Sequence, residues 1–436
     1  MSGSVRRIVL TVIALIAAGM VTACSSGTPV ATATTSAGGS EAVVMVSDDQ
    51  SLAAAGARVA AGGIIFINPG TYHASLEVHA DDVTVRGSDR NGVVLDGEFA
   101  RSNGIVMTGA RASVENLTVR NFVQSGVLIT GVTDQTGAGV ARGPDGYLPG
   151  NVADPVSGYL VQMVTAQNNG LYGIYAFNRT GGVIRSNLAS GGSDSGIYVG
   201  QCTDCDAEIS GNVLTLNAAG IELANASNVV IVGNRITGNR IGLTILSNYL
   251  EAHGPTTGVR IAGNLITDNN ETATPEQATG AFGVGVGLSG TVDTVVRANR
   301  ITGNPNAGLW VTSSDDFAPI GTTVTDNVWD ATALAVVFAP STDHSGSKNC
   351  FTLPSDAGTE PATLATAGCA DAITPSAWAQ PPAPAGISFA EVAHTAERPG
   401  LTDIDQTPRV LTNTVDLADI TTVTVPDITL LSDPGA

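Results

Sequence analysis

From Leu171 onward the chain repeats itself, and this repeat limits what it can fold into more than any other feature. Gly173-Ile174-Tyr175, Gly196-Ile197-Tyr198, Gly220-Ile221-Glu222, Gly242-Leu243-Thr244, Gly285-Val286-Gly287 and Gly308-Leu309-Trp310 open successive units, the first four lying 23, 24 and 22 residues apart. A second phrase follows inside the units: GNVLTLN from Gly211, GNRITGN from Gly233, GNLITDN from Gly263 and ANRITGN from Ala298. Apolar positions alternate over short runs parted by glycine or asparagine, the period of a strand and not of a helix. Units of this length fit neither a helical solenoid nor a propeller blade, so the spacing predicts one coil of a β-solenoid per unit.

If each unit makes one turn, equivalent strands stack in parallel at about 4.8 Å per rung. Ile174, Ile197, Ile221, Leu243, Val286 and Leu309 then form one interior column, and Ala176, Val199, Leu223, Ile245, Leu288 and Val311 form the next, two residues on. Asn212, Asn234, Asn264 and Asn299 are expected at the turns, where asparagine tolerates the left-handed conformation and its amide can bond along the stack. Before Leu171 the coils are less regular. Gly63 to His73 reads as an opening strand and turn, and Ser51 to Ala61 as a small helix capping the first coil. Gly131 to Val156, Asn248 to Thr257 and Glu271 to Thr279 read as loop insertions.

Composition agrees with many small coils. There are 52 glycines, 4% aromatic and 13% charged residues, too few large side chains for several ordinary cores. A formal charge of −20 argues against nucleic acid as a partner. Arg6 and Arg7 followed by the apolar run Ile8 to Met20 read as a signal peptide. Val21-Thr22-Ala23-Cys24 resembles the lipobox of bacterial lipoproteins, in which the cysteine is acylated. The expected organisation is therefore a signal peptide over 1–23, a lipidated flexible tether over 24–40, the solenoid over 41–370, and a Pro/Ala-rich segment and tail over 371–436. Lipidation of Cys24 would anchor the exported body to the outer face of the cell membrane. The tail is either disordered or laid along the solenoid, its composition favouring disorder. Cys202 with Cys205 and Cys350 with Cys369 are disulfide candidates, the second pair closing the end of the repeat.

LYGIYAFN, SDSGIYVGQ and AAGIELANASNVVIVGN resemble consecutive coils of the right-handed parallel β-helix repeat proteins, which include pectate-lyase-like carbohydrate-active enzymes and exported bacterial proteins. The likeness spans Ile64 to Ser345 and is strongest between Leu171 and Ser247. It implies an all-β, right-handed parallel β-helix, with polysaccharide as the expected partner. The resemblance does not extend to the enzyme signatures. There is no Asn-Thr-Asp or Asp-Pro-His phrase, and the Asp-Asp pairs starting at Asp48, Asp81 and Asp315 lie on distant coils.

The outward column beside the isoleucines reads Tyr175, Tyr198, Glu222, Thr244, Gly287, Trp310. Stacked tyrosines followed by a carboxylate suit a sugar platform, with Tyr172 beside them and Asn178, Gln201 and Asn225 as hydrogen-bonding neighbours. Asp194 and Glu222 are the candidates for acid/base work, as in a lyase, hydrolase or epimerase, or for holding calcium; no other cofactor is implied. Arg235 and Arg300 are read as a solvated face. His73, His79, His253 and His344 lack metal-ligand spacing and are read as surface residues. The alternative reading is a non-catalytic adhesion scaffold that recruits a protein partner through the loop from Gly131 to Val156.

Overall fold

Short strands joined by left-handed corners wind this chain into a right-handed parallel β-helix. The computed structural model describes residues 39–131, 142–143, 146–147, 154–248, 252–314, 316–370 and 372–432. The signal peptide, most of the tether with Cys24, and most of the loop from Gly131 to Val156 lie outside the described residues.

One coil shows the plan. Ala207–Ser210 joins the first sheet, Val213–Thr215 the second and Ala219–Ala226 the third, and Val229–Val232 then returns to the first sheet one rung on. Among the described residues the three sheets hold 13, 9 and 11 strands. Both interior columns form in the expected register through the third sheet, and their side chains are buried. At about 25 cal/mol per Å² of apolar surface removed from water, these aliphatic layers supply the driving force of the fold.

The corner between the first and second sheets corrects one expectation. The left-handed residue is not the asparagine but its predecessor: Gly211, Gly233 and Gly263 have φ of 63 to 64°, and Ala298 has 52°. A side-chain carbon at Gly233 would meet nothing within 4 Å, so dihedral and not space selects glycine there. The following asparagine turns inward and is fully buried. Asn187, Asn212, Asn234, Asn264, Asn299 and Asn327 form a ladder, each Nδ2 donating to the next Oδ1 at 2.9 to 3.0 Å. Each main-chain N–H donates to the same oxygen. At the next corner Asn217, Asn239, Asn269 and Asn304 form a second ladder. Buried amides are tolerated here because every donor and acceptor is used.

Both ends are closed. The capping helix is Asp49–Arg58, starting two residues earlier than expected because Asp48 and Ser51 cap each other reciprocally. Leu52 and Ala55 face the first coil and are buried. At the other end Asn349–Phe351 pairs antiparallel with Gly368–Ala370. The Cys350–Cys369 disulfide lies across that pair, and Cys202–Cys205 closes a turn after the third sheet.

Disorder is the wrong choice for the tail. It has almost no regular structure, but it is laid along the solenoid, bonded chiefly through arginines of the body. Arg90 donates to the Pro399 carbonyl, Arg86 to those of Asp405 and Thr407, and Arg297 to those of Ile420 and Val423. Arg300 donates to Pro426, and Arg235 to Ile428 and Leu430, so neither forms the solvated face expected of it. Arg409 of the tail in turn pairs with the fully buried Glu115, which also holds Arg86. Asp405, Asp419 and Asp427 each bond the threonine two residues on, and each faces one of these arginines. Threonine first, and arginine after it, holds all three carboxyls below their ordinary range.

The ladder gives a stability prediction. Asn234→Ala leaves the Asn212 main-chain N–H and one N–H of its amide without an acceptor, and removes one of the two donors to Asn264 Oδ1. At about 1–3 kcal/mol per buried group left unpaired, the denaturant midpoint should fall far more than for Thr237→Ala in the neighbouring strand. Equal midpoints for the two variants would contradict the ladder's role.

Candidate functional site

The third sheet supplies the site. Its strands Tyr172–Phe177, Ser195–Cys202, Ala219–Ala226, Ile241–Leu246, Val284–Ser289 and Ala307–Thr312 stack in parallel. The glycine that opens each unit is there for close approach. A side-chain carbon on Gly173, Gly220 or Gly285 would come within 2.6 Å of the glycine carbonyl oxygen on the next rung. With the rungs this tight, residue pairing is fixed, and Tyr175, Tyr198, Glu222, Thr244, Gly287 and Trp310 fall into one outward column as expected.

Three tyrosine rings meet at its upper end. Tyr172 stacks on Tyr175 at 4.5 Å between centroids with 27° between planes. Tyr198 lies 4.9 Å from Tyr172 and 4.8 Å from Tyr175, edge-on to the latter, and Phe177 lies 5.5 Å from Tyr175. Tyr198 is only 4% exposed, whereas Tyr172 and Tyr175 are half-buried. The accessible platform is therefore Tyr172 and Tyr175, with Tyr198 as its support, a division the sequence does not reveal.

Asp194 is locked into the corner from which Tyr172 emerges. Its N–H donates to the Leu171 carbonyl, and its own carbonyl accepts from the Ala219 N–H, both at 2.9 Å. The Tyr172 hydroxyl is hydrogen-bonded to the Asp194 carboxylate. Burial raises the Tyr172 phenol well above its ordinary value, and the negative charges of Asp194 and Glu222 raise it further. This phenol is thus a proton-bearing donor at neutral pH and not a base, and two carboxylates bear on it together. The structure so gathers Tyr172, Tyr175, Tyr198, Asp194 and Glu222.

Asn178, Gln201 and Asn225 do not join them. They are buried at the corner after the third sheet, at left-handed φ of 53, 59 and 47°. Asn178 donates to the Gln201 carbonyl, while Asn225 both donates to the Asn248 carbonyl and accepts from its N–H. They build a turn, so the expectation that they meet sugar hydroxyls is replaced by a structural role. His253 is likewise more than a surface residue. It is half-buried in the wall of a cleft of about 530 Å³ with Thr203, Asp204, Ser227 and Asn228. Its Nδ1 lies 2.7 Å from Thr203 Oγ1, and burial holds its pKa below the ordinary value. Among the described residues no group of three or more His, Cys, Asp or Glu side chains is placed to hold a metal ion.

Residues 152–329 match the family model described as right handed beta helix region. No curated protein matches the chain. Solved structures of similar winding include the A-module of a mannuronan C-5 epimerase from Azotobacter vinelandii, with 16% identity over 72% of this chain and 94% of that one and a TM-score of 0.44. The enzymatically active domain of tailspike protein 2 of bacteriophage CBA120 shares 12% identity over 64% of this chain and 43% of that one, with a TM-score of 0.44. A pectate lyase shares 14% over 87% and 92%, with a TM-score of 0.39. No residue role carries over from them.

Asp194→Asn removes a negative charge beside the Tyr172 phenol. The highest-pH part of the variant's phenolate titration should therefore shift to lower pH, by the amplitude of one of the seven tyrosines, while its onset stays in place. Superimposable titrations would mean that Asp194 does not act on Tyr172.

Proposed function

We propose that the outer face of the third sheet binds a polysaccharide, with Tyr172 and Tyr175 as the stacking platform and Asp194 and Glu222 engaging sugar hydroxyls. The observation that carries this reading is the meeting of three tyrosine rings and two carboxylates on the face the tail largely leaves clear. Half-buried rings offer flat apolar area at little cost in side-chain entropy, and carboxylates accept hydroxyl donors in pairs, the combination a sugar requires. The tail bonds to the first and second sheets and their corners through Arg86, Arg90, Arg235, Arg297 and Arg300, which leaves those faces occupied. A ligand that repeats along its own length also matches a sheet whose rungs repeat at about 4.8 Å. On this reading the lipid anchor expected at Cys24 holds the binding face at the outer surface of the membrane. Asp194 and Glu222 are the residues through which any turnover would run.

A glycan array probed with the chain from Glu41 onward, with and without calcium, tests the proposal. Saturable binding is expected, weakened at least about tenfold, or ~1.4 kcal/mol, by Tyr172→Ala or Tyr175→Ala. Binding that survives both substitutions, or no binding to any glycan, would reject it. Bound glycans recovered shorter or chemically altered with the parent chain, and unaltered with Asp194→Asn and Glu222→Gln, would make the site catalytic.

A further inference from the structure

Below Glu222 the same column continues through Thr244, Gly287 and Trp310, which reaches about 19 Å from Tyr198 at four rung steps. This stretch has the parts of a second aromatic subsite. Gly287 puts no side chain between its neighbours, and a side-chain carbon there would only reach ordinary contact with the Leu243 carbonyl and Ile241 Cδ1. Trp310 forms one wall and Thr244 the other. The indole N–H of Trp310 and the hydroxyl of Thr244 are both sealed from solvent, and neither has a hydrogen-bond partner among the described residues. Leaving such groups unpaired costs free energy that a ligand hydroxyl would recover.

The start of the tail lies against Trp310. The Trp378 ring lies 5.4 Å from that of Trp310 at 66°, on an apolar patch made by Ala219, Ile241, Val284, Ala307 and Val337. Its hold is slight. Ser376 donates its N–H to the Phe338 carbonyl and its hydroxyl to Glu360, while accepting from the Trp378 N–H. Gln380 donates to the Gly280 carbonyl, and its own amide oxygen is buried without a donor among the described residues. An aromatic ring from the chain itself thus stands edge-on against Trp310, on the sheet face proposed to take the sugar.

We infer that the segment from Ser376 to Gln380 is a displaceable plug over a further sugar subsite formed by Thr244, Gly287 and Trp310. The inference rests on the glycan reading of this face. It implies that a short oligosaccharide occupies only the tyrosine end, whereas a longer one must expel Trp378 to extend along the column. The chain then favours long polymers only once the plug has moved.

The test is calorimetric titration of the full chain, Trp378→Ala, and Trp378→Ala/Trp310→Ala with dimers and hexamers of 1,4-linked glucose, N-acetylglucosamine and galacturonate. Trp378→Ala should tighten hexamer binding about tenfold while leaving dimer binding unchanged, and Trp310→Ala in that background should abolish the gain. Ser376→Ala, which keeps both tryptophans and loosens the plug, should give a smaller gain in the same direction. If dimers bind and hexamer affinity is unchanged or falls in both Trp378→Ala and Ser376→Ala, the plug is overturned and the tyrosine platform stands. If no oligosaccharide binds the parent or any variant, the glycan reading fails and the plug with it.

Discussion

The buried asparagine ladders are the interaction on which the rest of this structure depends. A parallel coil has no intrinsic reason to stop at one register, since a shift by a full strand period still buries alternate apolar residues. The amides remove that freedom. Asn234 accepts two bonds from Asn212 and gives two to Asn264, so a coil out of step leaves several buried polar groups unpaired at once. Glycines before the asparagines supply the corner, and the aliphatic columns supply the driving force, but the ladders set which residue lies above which.

The candidate site follows from that register. The aromatic cluster exists only because Tyr175 lies directly over Tyr198, with Tyr172 three residues earlier and Asp194 at the adjoining corner. A slip of one residue would send the tyrosines inward and the isoleucines out. The tail then distinguishes three otherwise similar faces. Its clamps lie on the first and second sheets, and on the third it touches the column at the Trp310 end through Trp378.

The central coils are legible in the sequence because the Gly-Ile-Tyr phrase carries strand alternation and repeat spacing together. Both interior columns and the outward one can be written down from it. Legibility fails where two residue types share a propensity. Glycine and asparagine are both turn formers, and nothing local says that Gly233 takes the left-handed corner while Asn234 faces inward. Asn178, Gln201 and Asn225 look like ligands for the same reason that they make good corners. The tail is illegible because its partners lie far away in sequence: Arg86 meets Asp405 across 319 residues, and composition alone reads such a segment as disordered. Asp405, Asp419 and Asp427, each followed two residues on by threonine, are the signal that was there to be found. Trp378 had no such signal, since a lone tryptophan among prolines and alanines does not reveal what it covers.

Hydroxyl-radical footprinting of the full chain, alone and saturated with the tightest glycan from the array, tests the central claim most directly because it reads side chains and not affinity. Oxidation of Tyr172 and Tyr175 should fall on binding, while exposed apolar residues elsewhere, such as Met45 and Val410, keep their rates. Unchanged oxidation of the two tyrosines, with protection appearing on the first or second sheet instead, would contradict the assignment of the third sheet as the binding face.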